Sequence, residues 1–154
     1  MFKSKVYTVS VSSSGIVLEE ERIAREVINR WSLENGEKTG VVLLPLLSGC
    51  EDVIPDIYIF AIDNYVEAGK VEAAIATGAK VFLFFCKHHD PNNTLQTELD
   101  KIASFRIAVQ SRCTCVDYDE TAGFGEALKA ELDDLCQKNQ PMVKVRSGSV
   151  YGLR

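Results

Sequence analysis

The chain has 154 residues, 46% of them apolar and 25% charged, which suits one globular domain and is short for two. Its net charge of -5 gives no electrostatic footprint for nucleic acid, and no apolar run approaches the ~20 residues that span a bilayer, so neither nucleic acid nor membrane is an expected partner. With no signal-peptide core at the N-terminus and an odd count of five cysteines, the expectation is a cytoplasmic protein with reduced thiols.

Taken in order, Lys5 to Ser12 is rich in β-branched residues that alternate with polar ones and predicts a first strand, with Ser12-Ser13-Ser14-Gly15 following as a loop. Leu18 to Asn35 carries Leu18, Ile23, Val27, Ile28 and Trp31 at helical spacing, and Glu19, Glu20 and Glu21 stand where a helix dipole favours negative charge. This helix is predicted to end near Asn35-Gly36. Val41 to Leu47 predicts a second strand, which Pro45 assigns to an edge or to a strand end.

Two apolar runs without polar alternation, Ile57 to Ile62 and Val81 to Cys86, predict strands buried on both faces of a parallel sheet. A small-residue segment between them, Val71 to Gly78, predicts a helix. Thr94 to Val109 predicts another helix, Cys113 to Tyr118 a short fifth strand, and Thr121 to Gln137 the last helix, with Phe124, Leu128, Leu132 and Leu135 on one face. Residues 1–138 thus form a single α/β domain. Residues 139–154, with Lys144, Arg146 and Arg154, read as a basic C-terminal tail or an edge strand.

Alternating strands and helices with right-handed crossovers predict a three-layer, doubly wound, mostly parallel five-stranded sheet of Rossmann or flavodoxin type, in strand order 2-1-3-4-5. Ligands of such sheets sit outside the carboxyl ends of the strands at the point where the crossovers change side. Here that crevice is bounded by Ser12 to Gly15 and by Asp63 to Glu72. A receiver-like protein of the same strand order would need an acidic cluster after strand one, which the chain lacks.

Two stretches resemble known families. Val9 to Ser14 followed by Leu18-Glu19-Glu20-Glu21-Arg22 resembles the opening of an uncharacterised domain often found ahead of bacterial signalling ATPases. Gly69-Lys70-Val71-Glu72, with Ala73-Ala74-Ile75-Ala76 and then Gly78-Ala79-Lys80-Val81, resembles the nucleoside 2-deoxyribosyltransferase and TIR-like superfamily. That resemblance implies Glu72 as the catalytic carboxylate and a nucleoside, a nucleotide or NAD as substrate, with no resident cofactor. The chain departs from the transferase pattern at Glu67-Ala68 and at Lys70, where that family has Ser or Asp-Ser and Thr.

The candidate residues follow from the chemistry. Cleavage of an N-glycosidic bond passes through an oxocarbenium-like transition state that a carboxylate stabilises or traps, the role assigned to Glu72. Asp63 and Asn64 leave the third strand where an acidic side chain accepts ribose hydroxyls. Ser12, Ser13, Ser14 and Gly15 offer hydroxyls and backbone donors to a phosphate or a sugar, although the Gly-x-x-x-x-Gly-Lys pattern of a P-loop is absent. Gly69 opens the helix that carries Glu72, and His88 leaves the fourth strand as a group titrating near neutrality. A zinc site from Cys86, His88, Cys113 and Cys115 is disfavoured, since the first two lie at the exit of one strand and the others at the entrance of its neighbour. The rival reading is a sensor or interaction module that keeps the fold without catalysis. Related folds often complete their sites between subunits, so a homo-oligomer is compatible with either.

Overall fold

A computed structural model describes residues 4–14, 18–46, 52–89, 92 and 94–137. The tail or edge strand expected beyond residue 138 lies outside the described residues.

Five strands form one all-parallel sheet: β1 (Lys5–Ser14), β2 (Val41–Pro45), β3 (Ile57–Ile62), β4 (Lys80–Cys86) and β5 (Thr114–Tyr118), in spatial order β2-β1-β3-β4-β5. The helices are α1 (Leu18–Thr39), α2 (Ala68–Ala76), α3 (Gln96–Val109) and α4 (Thr121–Gln137). The result is the three-layer, doubly wound α/β architecture that the alternation of elements predicts.

Each face of the sheet has its own core. On one, Tyr7, Val9, Ile57, Ile59, Phe82 and Phe84 meet Ala24, Ile28 and Trp31 of α1 and Phe124, Leu128 and Leu132 of α4. On the other, Phe60, Ile62, Leu83 and Phe85 meet Val71 and Ala74 of α2 and Val109 of α3. Successive residues of β3 and β4 serve opposite cores, which is why both runs are apolar throughout. The connection from β2 to β3 carries no described helix, and the sheet is less covered on that side: Val6 is 44% and Leu44 50% exposed.

Several boundaries move for identifiable reasons. Gly36 does not end α1; it is a helix residue facing β2, where a Cβ would stand at ordinary contact distance from Val42 Cγ2 (3.4 Å) and from the Val41 carbonyl (3.6 Å). The stop is Gly40, whose φ of 73° suits glycine and whose N–H donates to the Gly36 carbonyl. β2 ends at Pro45, on the edge of the sheet as its proline predicts. Ser12 to Ser14 are strand rather than loop, paired with Phe60, Ala61 and Ile62. α2 begins three residues earlier than Val71, at Ala68.

β1 is long enough to serve two neighbours in turn. Lys5 to Val9 pair with β2, and Val9 to Ser14 pair with β3. The buried carboxylate of Asp56 fixes where the second ladder starts. It accepts from the Thr8 amide at 2.9 Å and from the Thr8 hydroxyl at 3.3 Å, while the Asp56 amide donates to the Thr8 carbonyl at 3.0 Å. At the far side, the Phe124 ring meets Phe84 and Tyr118 edge-on, both with centroids 5.2 Å apart, and ties α4 to the sheet. Phe124 is fully buried, so Phe124→Ala is expected to cost about 3–5 kcal/mol in urea unfolding, with α4 the first element to lose amide protection.

Candidate functional site

The crossovers change side between β1 and β3. The helix after β1 lies against one core and the helix after β3 against the other, so the chain diverges at their adjacent carboxyl ends. A cleft opens there, lined by Ser12, Phe60, Ile62, Val66, Glu67 and Lys70, with Ala61 and Val71 completing its wall. Phe60, Ile62, Val66 and Val71 make it largely apolar. Lys70 pairs with Glu67 at 3.5 Å on its rim. α2 starts at this rim with no side-chain cap from Glu67, and a Cβ at Gly69 would have nothing within 4 Å, so glycine there leaves the first turn uncovered.

A second group of polar side chains gathers at the same end of the sheet, nearer β4 and β5. The Asp63 carboxylate lies 3.0 Å from His89 Nδ1. Beside it, the Asn64 Oδ1 is buried with no hydrogen-bond partner among the described residues. Glu20, in the first turn of α1, is 5% exposed and accepts a hydrogen bond of 2.8 Å from the Tyr118 hydroxyl at the end of β5. Burial raises the Glu20 carboxyl above the usual carboxylate range, against the lowering effect of the Tyr118 bond, and Asp63 adds to the rise through its charge. The Cys86 thiol donates to the His88 carbonyl at 3.2 Å and is also pushed up, first by burial and then by the charges of Asp63 and Glu20. Tyr118 is raised well above its ordinary range by burial and by Glu20. Burial thus raises all three groups, the carboxyl, the thiol and the phenol, from their ordinary values.

The sequence-derived candidates divide accordingly. Ser12 lines the cleft, and the Ser13 and Ser14 backbones continue β1 beside it. Gly15 lies outside the described residues. Asp63 and Asn64 sit at the exit of β3, and Gly69 lies in the first turn of α2. His88 is exposed and lies 3.7 Å from Asp119, whereas His89 is the imidazole that meets Asp63.

Glu72 is placed differently. Its two carboxylate oxygens accept from the two terminal nitrogens of Arg112, both at 3.0 Å, and its side chain is 46% exposed. It is not among the residues that line the cleft. The Arg112 hydrogen bond is the first cause that lowers this carboxyl, and α2 begins at Ala68, which puts Glu72 beyond the first turn where a helix dipole acts.

Tyr118 carries no assignment from the sequence, Glu20 is read there only as a first-turn acid of α1, and His89 only with His88, as an imidazole leaving the fourth strand that is a candidate for acid-base work. Glu20 did leave a signal, because 20, 24, 28 and 31 share one helical face and the other three are apolar: a carboxylate on a buried stripe. Cys86 stands opposite Tyr118 in the β4–β5 register, so Cys86 and His88 lie a strand length from Cys113. Among the described residues, no three His, Cys, Asp or Glu side chains are grouped to hold a metal ion. No helix of the described residues is long and apolar enough to cross a membrane.

No family model matches the chain, and no curated protein matches its sequence. Among solved structures it is similar to a de novo designed protein of a P-loop fold, at 16% identity and a TM-score of 0.37, over 90% of this chain and 97% of that one. It is also similar to the flavodiiron protein from Giardia intestinalis, at 16% identity and a TM-score of 0.43, over 96% of this chain and 38% of that one. Neither likeness adds to the fold description, which stands on the strand order and the layers.

The burial of Glu20 yields a signed pH dependence. The native state holds the Glu20 proton to higher pH than the unfolded chain does, so this group's contribution to stability is full below the unfolded value near 4.5 and is lost as pH rises through the native one. Urea unfolding at pH 4.5 and 7 is expected to show wild type losing stability relative to Glu20→Gln as pH rises, and an unchanged difference would contradict the assignment. Tyr118→Phe, which leaves the buried carboxylate without its donor, is expected to cost about 1–3 kcal/mol at pH 7.

Proposed function

We propose that this domain binds a nucleoside or nucleotide, NAD-like ligands included, in the cleft between β1, β3 and the start of α2. In this reading it acts as a sensor or interaction module, without glycosidic chemistry at Glu72. The observation that carries the reading is the position of the cleft: it opens at the topological switch point, where doubly wound sheets take their ligands, while Arg112 holds Glu72 outside it.

The residues suit such a ligand. Val66 offers apolar surface to a base above the buried Phe60, Ile62 and Val71, and the Ser12 hydroxyl offers a polar contact to sugar hydroxyls. The uncapped start of α2, with Lys70 beside it, offers amide donors and a cation to a phosphate.

Cleavage of the N-glycosidic bond is the second reading, and Glu20 is the observation that favours it. A buried carboxylate with raised proton affinity at the carboxyl end of the sheet is the kind of group that acid catalysis at a glycosidic bond uses.

A thermal-shift panel of nucleosides, deoxynucleosides, mononucleotides and NAD tests the binding reading. A ligand at a hundred times its Kd stabilises by about 2.7 kcal/mol, a Tm rise of about 5–10 °C for a chain of this size. Ser12→Ala is expected to weaken binding at least tenfold and Glu72→Gln to leave it unchanged. If no member of the panel raises Tm, the binding reading fails. Product analysis by mass spectrometry on the same samples separates the two readings: free base or nicotinamide released by wild type and not by Glu20→Gln establishes cleavage.

A further inference from the structure

The sheet has two edge strands, β2 and β5. An uncovered edge is a template on which another strand pairs, and a charge on the edge strand is one way of discouraging it. β5 has such a charge in Asp117, which is exposed and paired with Arg106. β2, Val41–Pro45, has none, and Val6 and Leu44 expose apolar surface on the sheet face beside it, the face opposite α1.

Register decides which backbone groups of β2 point away from β1. The Lys5 amide donates to the Gly40 carbonyl and the Leu46 amide to the Val9 carbonyl, so the even-numbered residues here face β1, and Val41, Leu43 and Pro45 face outward. Every outward position is closed to a new acceptor. The Val41 N–H donates to Thr39 Oγ1 at 3.1 Å, the Leu43 N–H donates to Ser32 Oγ at 2.8 Å, and Pro45 has no N–H. The Ser32 hydroxyl also donates to the Leu43 carbonyl at 3.1 Å. One side chain thus exchanges with Leu43 the two bonds that a residue of an antiparallel neighbour would exchange. Ser32 and Thr39 stand about two turns apart on α1, with Gly36 between them on the same face.

We propose that the Ser32 and Thr39 hydroxyls are a latch that shuts the β2 edge, and that without them β2 pairs with the β2 of a second copy of this chain. Leu43 is the central residue of the five-residue strand, so its N–H and C=O are the groups about which a two-fold antiparallel ladder would close. Ser32 takes up both. With the hydroxyls gone, the outward groups of Val41 and Leu43 lose their partners in the chain, and an unpaired backbone group beside buried side chains is costly to leave so. A second β2 restores those bonds and brings the apolar face at Val6 and Leu44 against its own copy.

Two measurements on the full chain test it. Amide hydrogen exchange by NMR reads the latch itself: in Ser32→Ala the Leu43 amide is expected to exchange about tenfold faster, with Val42 and Leu44, which face β1, unchanged. Analytical ultracentrifugation over a concentration series reads its consequence. Ser32→Ala/Thr39→Ala is expected to self-associate beyond wild type at the same concentration, and adding Leu44→Lys, a charge at an exposed position of the edge strand, to return it to the wild-type mass. Far-UV circular dichroism confirms that each variant is folded, and if the double variant is not, the Leu43 exchange in Ser32→Ala decides. Unchanged Leu43 exchange, a folded double variant with the mass of wild type, or association that Leu44→Lys leaves in place overturns the proposal.

Discussion

The structure depends on burying a parallel sheet on both faces while every crossover keeps one hand. Right-handed connections put α1 behind the step from β1 to β2, and α2 and α3 behind the steps in the opposite direction, from β3 to β4 to β5. The reversal falls between β1 and β3. Two adjacent strands then send their chains to opposite layers, and the gap at their carboxyl ends is a consequence of topology rather than of any particular side chain. The apolar runs of β3 and β4 and the paired cores follow from the same constraint.

Polar groups inside this frame are placed where they fix its geometry. Asp56 bonds to Thr8 at the point where β1 changes partner from β2 to β3, and so sets the register of the strands that form the cleft. Glu20 and Tyr118 join the start of α1 to the end of β5. Each buried carboxylate would be costly alone; with its donor it specifies one arrangement. The carboxyl end of the sheet thereby collects the Glu20–Tyr118 and Asp63–His89 pairs.

Much of the fold was legible because burial on two faces writes an unambiguous pattern. Ile57–Ile62 and Thr121–Gln137 have the bounds that their composition and spacing predict. The errors cluster where local signals compete. Gly36 looks like a helix stop, yet α1 runs through it to Thr39, and Ser12 to Ser14 look like a loop, yet they form the ladder with β3. The site was legible only in part. The position of the cleft follows from strand order, and Ser12 is the sequence-derived candidate that lines it. Pairings such as Asp63 with His89, Glu20 with Tyr118 and Glu72 with Arg112 join residues 26, 98 and 40 positions apart, which no local pattern encodes.

Backbone amide mapping by NMR, during titration with the nucleotide that gives the largest thermal shift, tests the central claim most directly. The account predicts shift changes concentrated at Ser12, at Phe60 to Asn64 and at Val66 to Val71, with the Arg112 turn and β2 unmoved. Changes centred on Glu72 and Arg112, or spread along the open side of β1 and β2, would contradict it.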